Sequence, residues 1–258
     1  MKEIEAAYTG LARVYDDFMG EVPYQEWARA LTDVFRAAGN GSGLLLELGC
    51  GTGILTGLMD AAGYEMIGID ASAEMLSEAL DKRCRSGADI LYLQQDMRAF
   101  ELYGTVSGVY CVCDSLNYLL EPEELVQVFS LINNYLDPGG LFALDFNTPA
   151  AYLLPERRIP IVETGDSGDT LIWLNQYDAE TAIQEHQLTI FTACRDGRYE
   201  RSDEMHRQRA YTLEEVLAAA GAAGLRPAGF WGGSTEEAPA DESGRIRLLL
   251  REHGKEQP

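Results

Sequence analysis

Short apolar runs alternate with stretches of helical periodicity between residues 43 and 147, and this alternation restricts the possible folds most. The apolar runs lie at 44–48, 66–69, 90–93, 106–112 and 141–146, and the helical stretches lie at about 54–62, 73–84 and 123–136. Short runs that are apolar throughout are typical of strands buried on both faces, and the helices between them provide parallel crossover connections. We therefore predict an α/β fold with a doubly wound parallel sheet.

The segments on either side of this alternation have different patterns. Residues 2–38 predict two helices, of which the first presents Tyr8 and Leu11 on one face with Val14, Tyr15 and Phe18. The second helix begins near Pro23 and ends at Gly39.

Residues 170–209 alternate apolar and polar positions without helical periodicity. Turns at 178–180 and 196–197 predict a small antiparallel sheet inserted after the fifth strand. Thr212, with Glu215 three residues later, predicts the start of a further helix, and two closing strands follow at about 226–231 and 245–250.

We predict a single domain over residues 1–258 with four parts. Residues 1–39 are N-terminal helices that form a lid, and residues 40–148 form a ligand-binding core. Residues 149–210 form the antiparallel insert, and residues 211–258 supply the last helix and the last two strands.

A glycine-rich loop follows the first predicted strand. The strand Leu44–Leu48 leads into Gly49-Cys50-Gly51-Thr52-Gly53 and then into a helix. Such a loop brings backbone N–H groups close to a ligand at the edge of the sheet.

This loop alone leaves three interpretations open. A dinucleotide-binding loop has a third glycine at the position of Ile54, and its pyrophosphate gains nothing from Glu47. A cationic or amino-bearing ligand, in contrast, is attracted by that carboxylate. A glycine turn without any ligand is the third interpretation.

Acidic residues follow the next three strands. Asp70, 17 residues after Gly53, is placed to accept hydrogen bonds from ribose hydroxyls, or else it caps the next helix. Met75, one turn later, could cover an adenine ring, and Asp96 could accept a hydrogen bond from the adenine amine or be a solvated loop acid. Asp114 faces the same crevice or caps a short helix. Together these positions predict a pocket for an adenosine with a positive centre and no phosphate.

Five segments resemble, in order, the motifs of class I S-adenosylmethionine-dependent methyltransferases. They are ELGCGTG at 47–53, GIDAS at 68–72, QQDM at 94–97, CDSLNYL at 113–119 and LDPGGLFALDFNT at 136–148. The resemblance covers about residues 40–150. It implies a Rossmann-like sheet, S-adenosylmethionine as cofactor and S-adenosylhomocysteine as product.

The flanks resemble a narrower, small-molecule subgroup, the YqeM-like proteins, whose relatives include the sugar N,N-dimethyltransferases. The similar parts are Tyr8, Tyr15, Tyr24 and Trp27 with their neighbours, and residues 204–209. The resemblance implies that the N-terminal segment covers the cofactor and that the insert shapes the pocket of a small-molecule acceptor.

The resemblance also implies a set of cofactor-binding residues. Glu47, Gly49, Gly51 and Gly53 would hold the methionine portion, Asp70 the ribose, and Met75, Asp96 and Met97 the adenine. The set is completed by Cys50 and Ala71 within the same motifs, by Tyr15 as a cofactor or lid residue, and by Asp114 near the methionine amino group or the acceptor.

No catalytic residue is predicted, because methyl transfer depends mainly on alignment of donor and acceptor in a dry site. A base is needed only if the acceptor must lose a proton. His186 and His206 in the insert could supply one, although histidines in alternating strands are more often surface or structural residues.

Composition limits the partners. The 42 acidic and 20 basic side chains give a net charge of -22, which disfavours nucleic acid and anionic membranes. Arginines at 195–209 are interleaved with acids and indicate a mixed-charge surface. Five cysteines without zinc-site spacing argue against a metal site and a disulfide framework. Without a secretion signal or an apolar run of membrane length, we expect a cytoplasmic protein, and an oligomer formed through the insert remains open.

Two further functions are kept as alternatives. One is a non-catalytic sensor that binds S-adenosylmethionine, since binding and catalysis share these motifs. The other is a nucleotide-dependent oxidoreductase, which Ile54 and Glu47 both disfavour.

Overall fold

The computed structural model describes residues 7–155, 159–232 and 243–255. The ends of the predicted lid and of the C-terminal part, 1–6 and 256–258, lie outside the described residues, as do 156–158 and 233–242. The first half comprises α1 (Tyr15–Phe18), α2 (Tyr24–Ala37), β1 (Leu44–Leu48), α3 (Ile54–Ala61), β2 (Glu65–Asp70), α4 (Ala73–Ser86), β3 (Ile90–Gln94), β4 (Val106–Cys111), α5 (Pro122–Tyr135) and β5 (Leu136–Asn147). The second half comprises α6 (Pro149–Leu153), β6 (Ile161–Thr164), β7 (Thr170–Asp178), β8 (Ile183–Ala193), β9 (Tyr199–Arg209), α7 (Leu213–Ala222), β10 (Leu225–Phe230) and β11 (Arg245–Glu252).

A seven-stranded sheet forms the centre of the molecule, in the order β10-β11-β5-β4-β1-β2-β3. The five strands β1 to β5 are parallel, whereas β11 runs antiparallel to both β5 and β10. The strand order reverses between β1 and β4, which is where open α/β sheets bind ligands. The predicted doubly wound sheet is confirmed.

Both faces of the central sheet are buried, which explains the continuous apolar runs of its strands. On one face of the sheet, Leu46 and Leu48 of β1 pack with residues of α5 and α7. On the other face, Leu45 packs with residues of α2 and α3. Because successive strand residues point to opposite faces, a strand buried on both sides is apolar at most positions, and Glu47 is the exception in β1.

The segment 137–140, between the predicted helix and the fifth apolar run, lies within β5. Leu136 is already paired with Val106, and the register of β4 and β5 then shifts before Leu141 pairs with Gly108. Leu136 is also fully buried.

The predicted antiparallel insert is a separate four-stranded sheet in the order β6-β7-β8-β9. Its arginines are paired with neighbouring acids, as in the ion pairs Arg198–Asp196 and Arg201–Asp203. These pairs confirm a mixed-charge surface. Among the described residues, no helix combines the length and apolar character needed to cross a membrane.

The prediction of the first helix is wrong. Residues 11–13 form a single 3₁₀ turn, α1 has one turn, and Tyr8 has a left-handed backbone with φ of 64°. The cause is Glu204 of β9, whose carboxylate accepts hydrogen bonds from the N–H groups of Tyr8, Gly10 and Leu11. These bonds replace the ones that a helix would form. We call residues 7–18 the N-terminal strap.

The strap is also attached to the central domain, by which we mean the seven-stranded sheet and its helices. Asp16 accepts a hydrogen bond of 2.6 Å from the Thr52 hydroxyl and forms an ion pair with Lys82 of α4. The Ser72 hydroxyl donates to the carbonyl oxygen of Tyr8 at 3.3 Å. The strap therefore joins the insert to the edge of the sheet where the acidic residues lie.

Candidate active site

The loop after β1 exposes its backbone at one position. A side chain at Gly49 would lie 2.6 Å from the Ser115 hydroxyl, whereas at Gly51 it would meet nothing within 4 Å. Both glycines have positive φ, at 72° and 54°. Gly49 therefore satisfies a packing constraint, and Gly51 turns its open side to free space that a ligand can occupy.

Glu47 is a buried acid at the end of β1. Its side chain is 3% exposed and accepts hydrogen bonds from the hydroxyls of Thr56 and Tyr110, the latter at 3.0 Å. Burial raises its pKa to about 8, although these two hydrogen bonds oppose the rise. None of the ion pairs found among the described residues involves Glu47. A positively charged ligand group would favour the ionised form of this acid.

Asp70 holds the loop from the end of β2. Its carboxylate accepts hydrogen bonds from the N–H groups of Gly51 at 2.8 Å and Ser72 at 2.9 Å, while burial raises its pKa. The N-cap of α4 is Ser72, which accepts a bond from the N–H of Met75. The helix-capping alternative for Asp70 is therefore wrong.

Three connected spaces surround these residues. A loop pocket of about 60 Å³ lies against Glu47, Cys50 and Gly51. A groove of about 550 Å³ runs along Ala71, Asp96 and Met97. An inner cavity of about 230 Å³ lies between the central domain and the insert, against Asp114, Trp173, His186, His206, Gln208 and Arg245.

Shared side chains connect the three spaces. Asp70 and Ser115 border both the loop pocket and the groove, and Cys113 borders both the loop pocket and the inner cavity. Tyr118 borders the groove and the inner cavity, and Tyr8 of the strap borders all three. A ligand spanning the loop pocket and the groove would therefore face the inner cavity.

Most of the predicted cofactor-binding residues lie in the loop pocket or the groove. The loop pocket brings together Tyr15, Glu47, Gly49, Cys50, Gly51, Asp70 and Met75. The groove is bordered by Gly49, Asp70, Ala71, Asp96 and Met97. Asp114 lies in the inner cavity, and Gly53 borders none of the three spaces but precedes α3.

Asp96 is an ionised acid at the edge of the groove. Its two oxygens accept hydrogen bonds from the Arg98 guanidinium at 2.6 to 3.1 Å, and these bonds lower its pKa. Arg98 also forms an ion pair with Glu124 of α5. Arg98 therefore fixes the carboxylate beside the groove.

The inner cavity has a wall of ionic groups that the sequence interpretation did not identify as a unit. Arg245 of β11 pairs with Asp114 and, at 2.9 Å, with Asp145, whose side chain is completely buried. Burial raises the pKa of Asp145, while Arg245 opposes the rise. Gln208 donates a hydrogen bond to Asp114 at 3.1 Å. Two carboxylates therefore share one guanidinium, with Asp114 at the cavity and Asp145 buried behind it.

The two histidines of the insert face the interior. His186 and His206 are directly paired in the register of β8 and β9, and each is 3% exposed. His206 lies between the Tyr118 hydroxyl and Glu204, at 2.9 Å from each. The register of β8 and β9 places both on one face of the insert, and this face is buried, so the surface interpretation of the two histidines is wrong.

A family model described as a methyltransferase domain matches residues 45–140. YqeM of Bacillus subtilis (strain 168), provisionally named a methyltransferase, is 33% identical over 211 residues, which cover 81% of this chain and 82% of YqeM. The chain belongs to the S-adenosylmethionine-dependent methyltransferases. Its predicted class, cofactor and YqeM-like relationship are confirmed, and the oxidoreductase alternative is not supported.

Two further similarities extend over nearly the whole methyltransferase. The dTDP-3-amino-3,6-dideoxy-alpha-D-glucopyranose N,N-dimethyltransferase of Streptomyces fradiae is 29% identical over 253 residues, which cover 93% of this chain and 91% of that enzyme. A crystal structure of an S-adenosylmethionine-dependent methyltransferase from Clostridium acetobutylicum ATCC 824 has a TM-score of 0.82 at 24% identity, with 96% of this chain and 99% of the other covered. At this level of identity, the similarity to the Clostridium acetobutylicum structure shows a shared fold and nothing more.

Proposed function

We propose that this methyltransferase transfers a methyl group to an amine nitrogen of a small molecule bound in the inner cavity. The observation that carries the proposal is the ionic cluster at this cavity, in which Arg245 pairs both with Asp114, which borders the cavity, and with Asp145, which is buried behind it. Carboxylates placed there attract an amine. The named activity of the Streptomyces fradiae relative, methylation of an amino group on a sugar, supports the same class of acceptor.

The loop pocket and the groove fit the two ends of the methyl donor. Glu47 and the open backbone at Gly51 would hold the charged methionine portion in the loop pocket. Asp70 would bind the ribose hydroxyls, and Asp96 with Met97 would contact the adenine in the groove. This assignment places a carboxylate against the ammonium group of the donor and requires no site for phosphate.

The chain's own residues align and enclose the reactants. When bound, S-adenosylmethionine supplies an electrophilic methyl group that needs no further activation. Tyr8 and Tyr15 of the strap, together with Cys113, border both the donor side and the inner cavity. They would exclude water and hold the two reactants in line, which is the main requirement of this displacement.

We expect Asp70→Ala to weaken the binding of S-adenosylhomocysteine by about 1–3 kcal/mol, because ribose hydroxyls lose their acceptor and the Gly51 N–H loses its anchor. Isothermal titration of the pure protein measures this change. Glu65→Ala, which removes an exposed acid at the other end of the same strand, is the control. Unchanged affinity of the Asp70 variant would show that the ribose assignment is wrong.

The acceptor class is tested with matched pairs of compounds. Formation of S-adenosylhomocysteine is measured with amino sugars, amino acids and aliphatic amines, each beside its hydroxyl analogue. We expect turnover with amines only. Turnover confined to hydroxyl compounds would contradict amine methylation, and donor binding without turnover by any compound would favour the sensor alternative.

Two sequence predictions stay predictions: the cytoplasmic location and an oligomer formed through the insert. Exposed apolar side chains on the four-stranded sheet, at Val162, Leu174 and Tyr199, support the second. Sedimentation of the pure protein measures its oligomeric state.

A further inference from the structure

We propose that Tyr8, Tyr118 and His206 form a path that removes a proton from the acceptor, and that Glu204 is the positioning residue that orients His206. The inference rests on the proposed function, because attack of an amine lone pair on the methyl group leaves a positive charge on nitrogen, and transfer of a proton along this path removes it. It assigns a role to residues 204–206 of the insert and to the first residues of the strap.

The path is continuous from the inner cavity to a buried carboxylate. The hydroxyl oxygens of Tyr8 and Tyr118 are 2.7 Å apart, and the Tyr118 oxygen is 2.9 Å from Nδ1 of His206. Nε2 of His206 is 2.9 Å from an oxygen of Glu204. Tyr8, Tyr118 and His206 all border the inner cavity, whereas Glu204 is buried behind them.

Glu204 determines the direction of these hydrogen bonds. Burial opposes its ionisation, but hydrogen bonds from His206 and from the N–H groups of Leu11 and Gly10 lower its pKa below the ordinary value. An ionised carboxylate only accepts hydrogen bonds, so Nε2 of His206 carries the proton and Nδ1 has a free lone pair. Tyr118 therefore donates to Nδ1, and Tyr8 donates to Tyr118.

This direction leaves the oxygen of Tyr8 able to accept a proton from a molecule in the inner cavity. The amine lone pair forms the new C–N bond as the C–S bond breaks, and the electron pair of that bond stays on sulfur. The amine proton passes to Tyr8, the Tyr8 proton to Tyr118, and the Tyr118 proton to Nδ1 of His206. The resulting imidazolium is neutralised by Glu204, and water entering after product release takes the proton back along the same path.

The surroundings favour transfer through the hydroxyls without a stable phenolate. Burial raises the pKa of both Tyr8 and Tyr118 well above the ordinary value, so each tyrosine must receive a proton as it gives one away. Besides Glu204 on its own strand, His206 faces His186 of β8 across the register. The remaining charged groups that border the same cavity are Asp114, which follows β4, and Arg245 of β11. Asp145 lies behind Arg245 and pairs with it.

Nitrogen NMR of the histidine side chains tests the direction of the path without an acceptor. The chain has three histidines, so the S-adenosylhomocysteine complex of the ¹⁵N-histidine-labelled protein gives three ring systems that His206→Ala and His253→Ala assign. We expect His206 to be protonated at Nε2, and Tyr118→Phe to change the shift of Nδ1 while Tyr103→Phe, at an exposed tyrosine, does not. Protonation of His206 at Nδ1 would overturn the proposal.

Kinetics with the fastest amine of the panel test the role of the path in catalysis. We expect His206→Ala and Tyr118→Phe to lower kcat by about 100-fold, the range of general acid–base catalysis. The affinity for S-adenosylhomocysteine should be unchanged in His206→Ala, because His206 borders the inner cavity and not the groove. Added imidazole should restore part of the activity of His206→Ala, which a purely structural role would not allow. His253→Ala and Tyr103→Phe are the matched controls.

Failure of this inference is distinguishable from failure of the proposed function. Wild-type kcat in His206→Ala would overturn the proton path while amine methylation stands. If no amine is methylated, the proposed function fails, and the NMR tautomer still decides whether His206 can receive a proton from Tyr118.

Discussion

Glu47→Gln is expected to weaken the binding of S-adenosylmethionine by at least about tenfold and, at the same time, to stabilise the free enzyme at alkaline pH. The loss of affinity follows from removing the buried carboxylate that would face the donor's ammonium group, since hydrogen bonds between charged groups contribute about 1.5–3 kcal/mol. Glu252→Gln, at another buried glutamate that bonds the N–H of Gly139 far from the loop pocket, is the control.

The gain in stability follows from the raised pKa of Glu47. The folded protein holds this proton up to a pH of about 8, whereas the unfolded chain loses it near the ordinary value of 4.5. The free energy of unfolding of the wild type therefore falls as the pH rises between these values. Above pH 8 the whole free-energy cost of holding an ionised Glu47 in the folded protein is present. Glutamine removes this cost, so we expect the free variant to be more stable than the wild type by about 2–4 kcal/mol at pH 9, and by little at pH 5.

Donor binding should also release a proton from Glu47. At pH 6.5 the free enzyme carries it, and a bound cation favours the ionised form. Titration calorimetry in buffers of different ionisation enthalpy should show close to one proton released per donor by the wild type and by Glu252→Gln, and none by Glu47→Gln. Equal release by all three proteins would contradict the contact between Glu47 and the ammonium group.

Arg245→Met is expected to give the largest loss of stability among substitutions outside the apolar core. Removing the guanidinium leaves Asp145 buried without a counter-charge, and breaking a buried ion pair costs about 3–5 kcal/mol. Because Arg245 and Asp114 keep about a quarter of their side-chain surface exposed, we expect about 2–4 kcal/mol in urea unfolding at pH 7. The loss should shrink toward pH 5 as the carboxyl groups become protonated.

Two further variants test whether the loss of stability in Arg245→Met comes from the unpaired charge of Asp145. Arg198→Met removes an arginine that is 82% exposed in its pair with Asp196, and it should cost less than about 0.5 kcal/mol. Adding Asp145→Asn to Arg245→Met should recover part of the loss, because the unpaired charge is then gone. A loss in Arg245→Met no larger than in Arg198→Met would show that the pair does not compensate a buried charge.

The central sheet could be predicted from the sequence because its signals are local. Leu45 and Leu46 face opposite helical layers, and this double burial explains why β1 is apolar at every position except Glu47. The glycine loop and the start of α7 at Thr212 are likewise determined by neighbouring residues, and the predicted capping box is present. The positions of Asp70 and Asp114 after their strands follow from the same alternation.

The strap and the inner cavity could not be predicted, because the contacts that form them join distant parts of the chain. The apolar spacing of the strap is that of a helix, but Glu204, 193 residues after Leu11, accepts the N–H groups that a helix would use. The ionic wall needs Asp114 and Arg245, which are 131 residues apart. Neither pairing can be recognised from the pattern of residues that are adjacent in the sequence.

Tyr8 borders the loop pocket, the groove and the inner cavity with a single ring. A substitution there that enlarges the space for a new acceptor would also disturb the hold on the donor, so this position is a poor starting point for new specificity. Trp173 and Leu188 of the insert border the inner cavity alone. We therefore expect divergence of acceptors within this group of enzymes, and success in redesigning them, to be concentrated on β7 and β8.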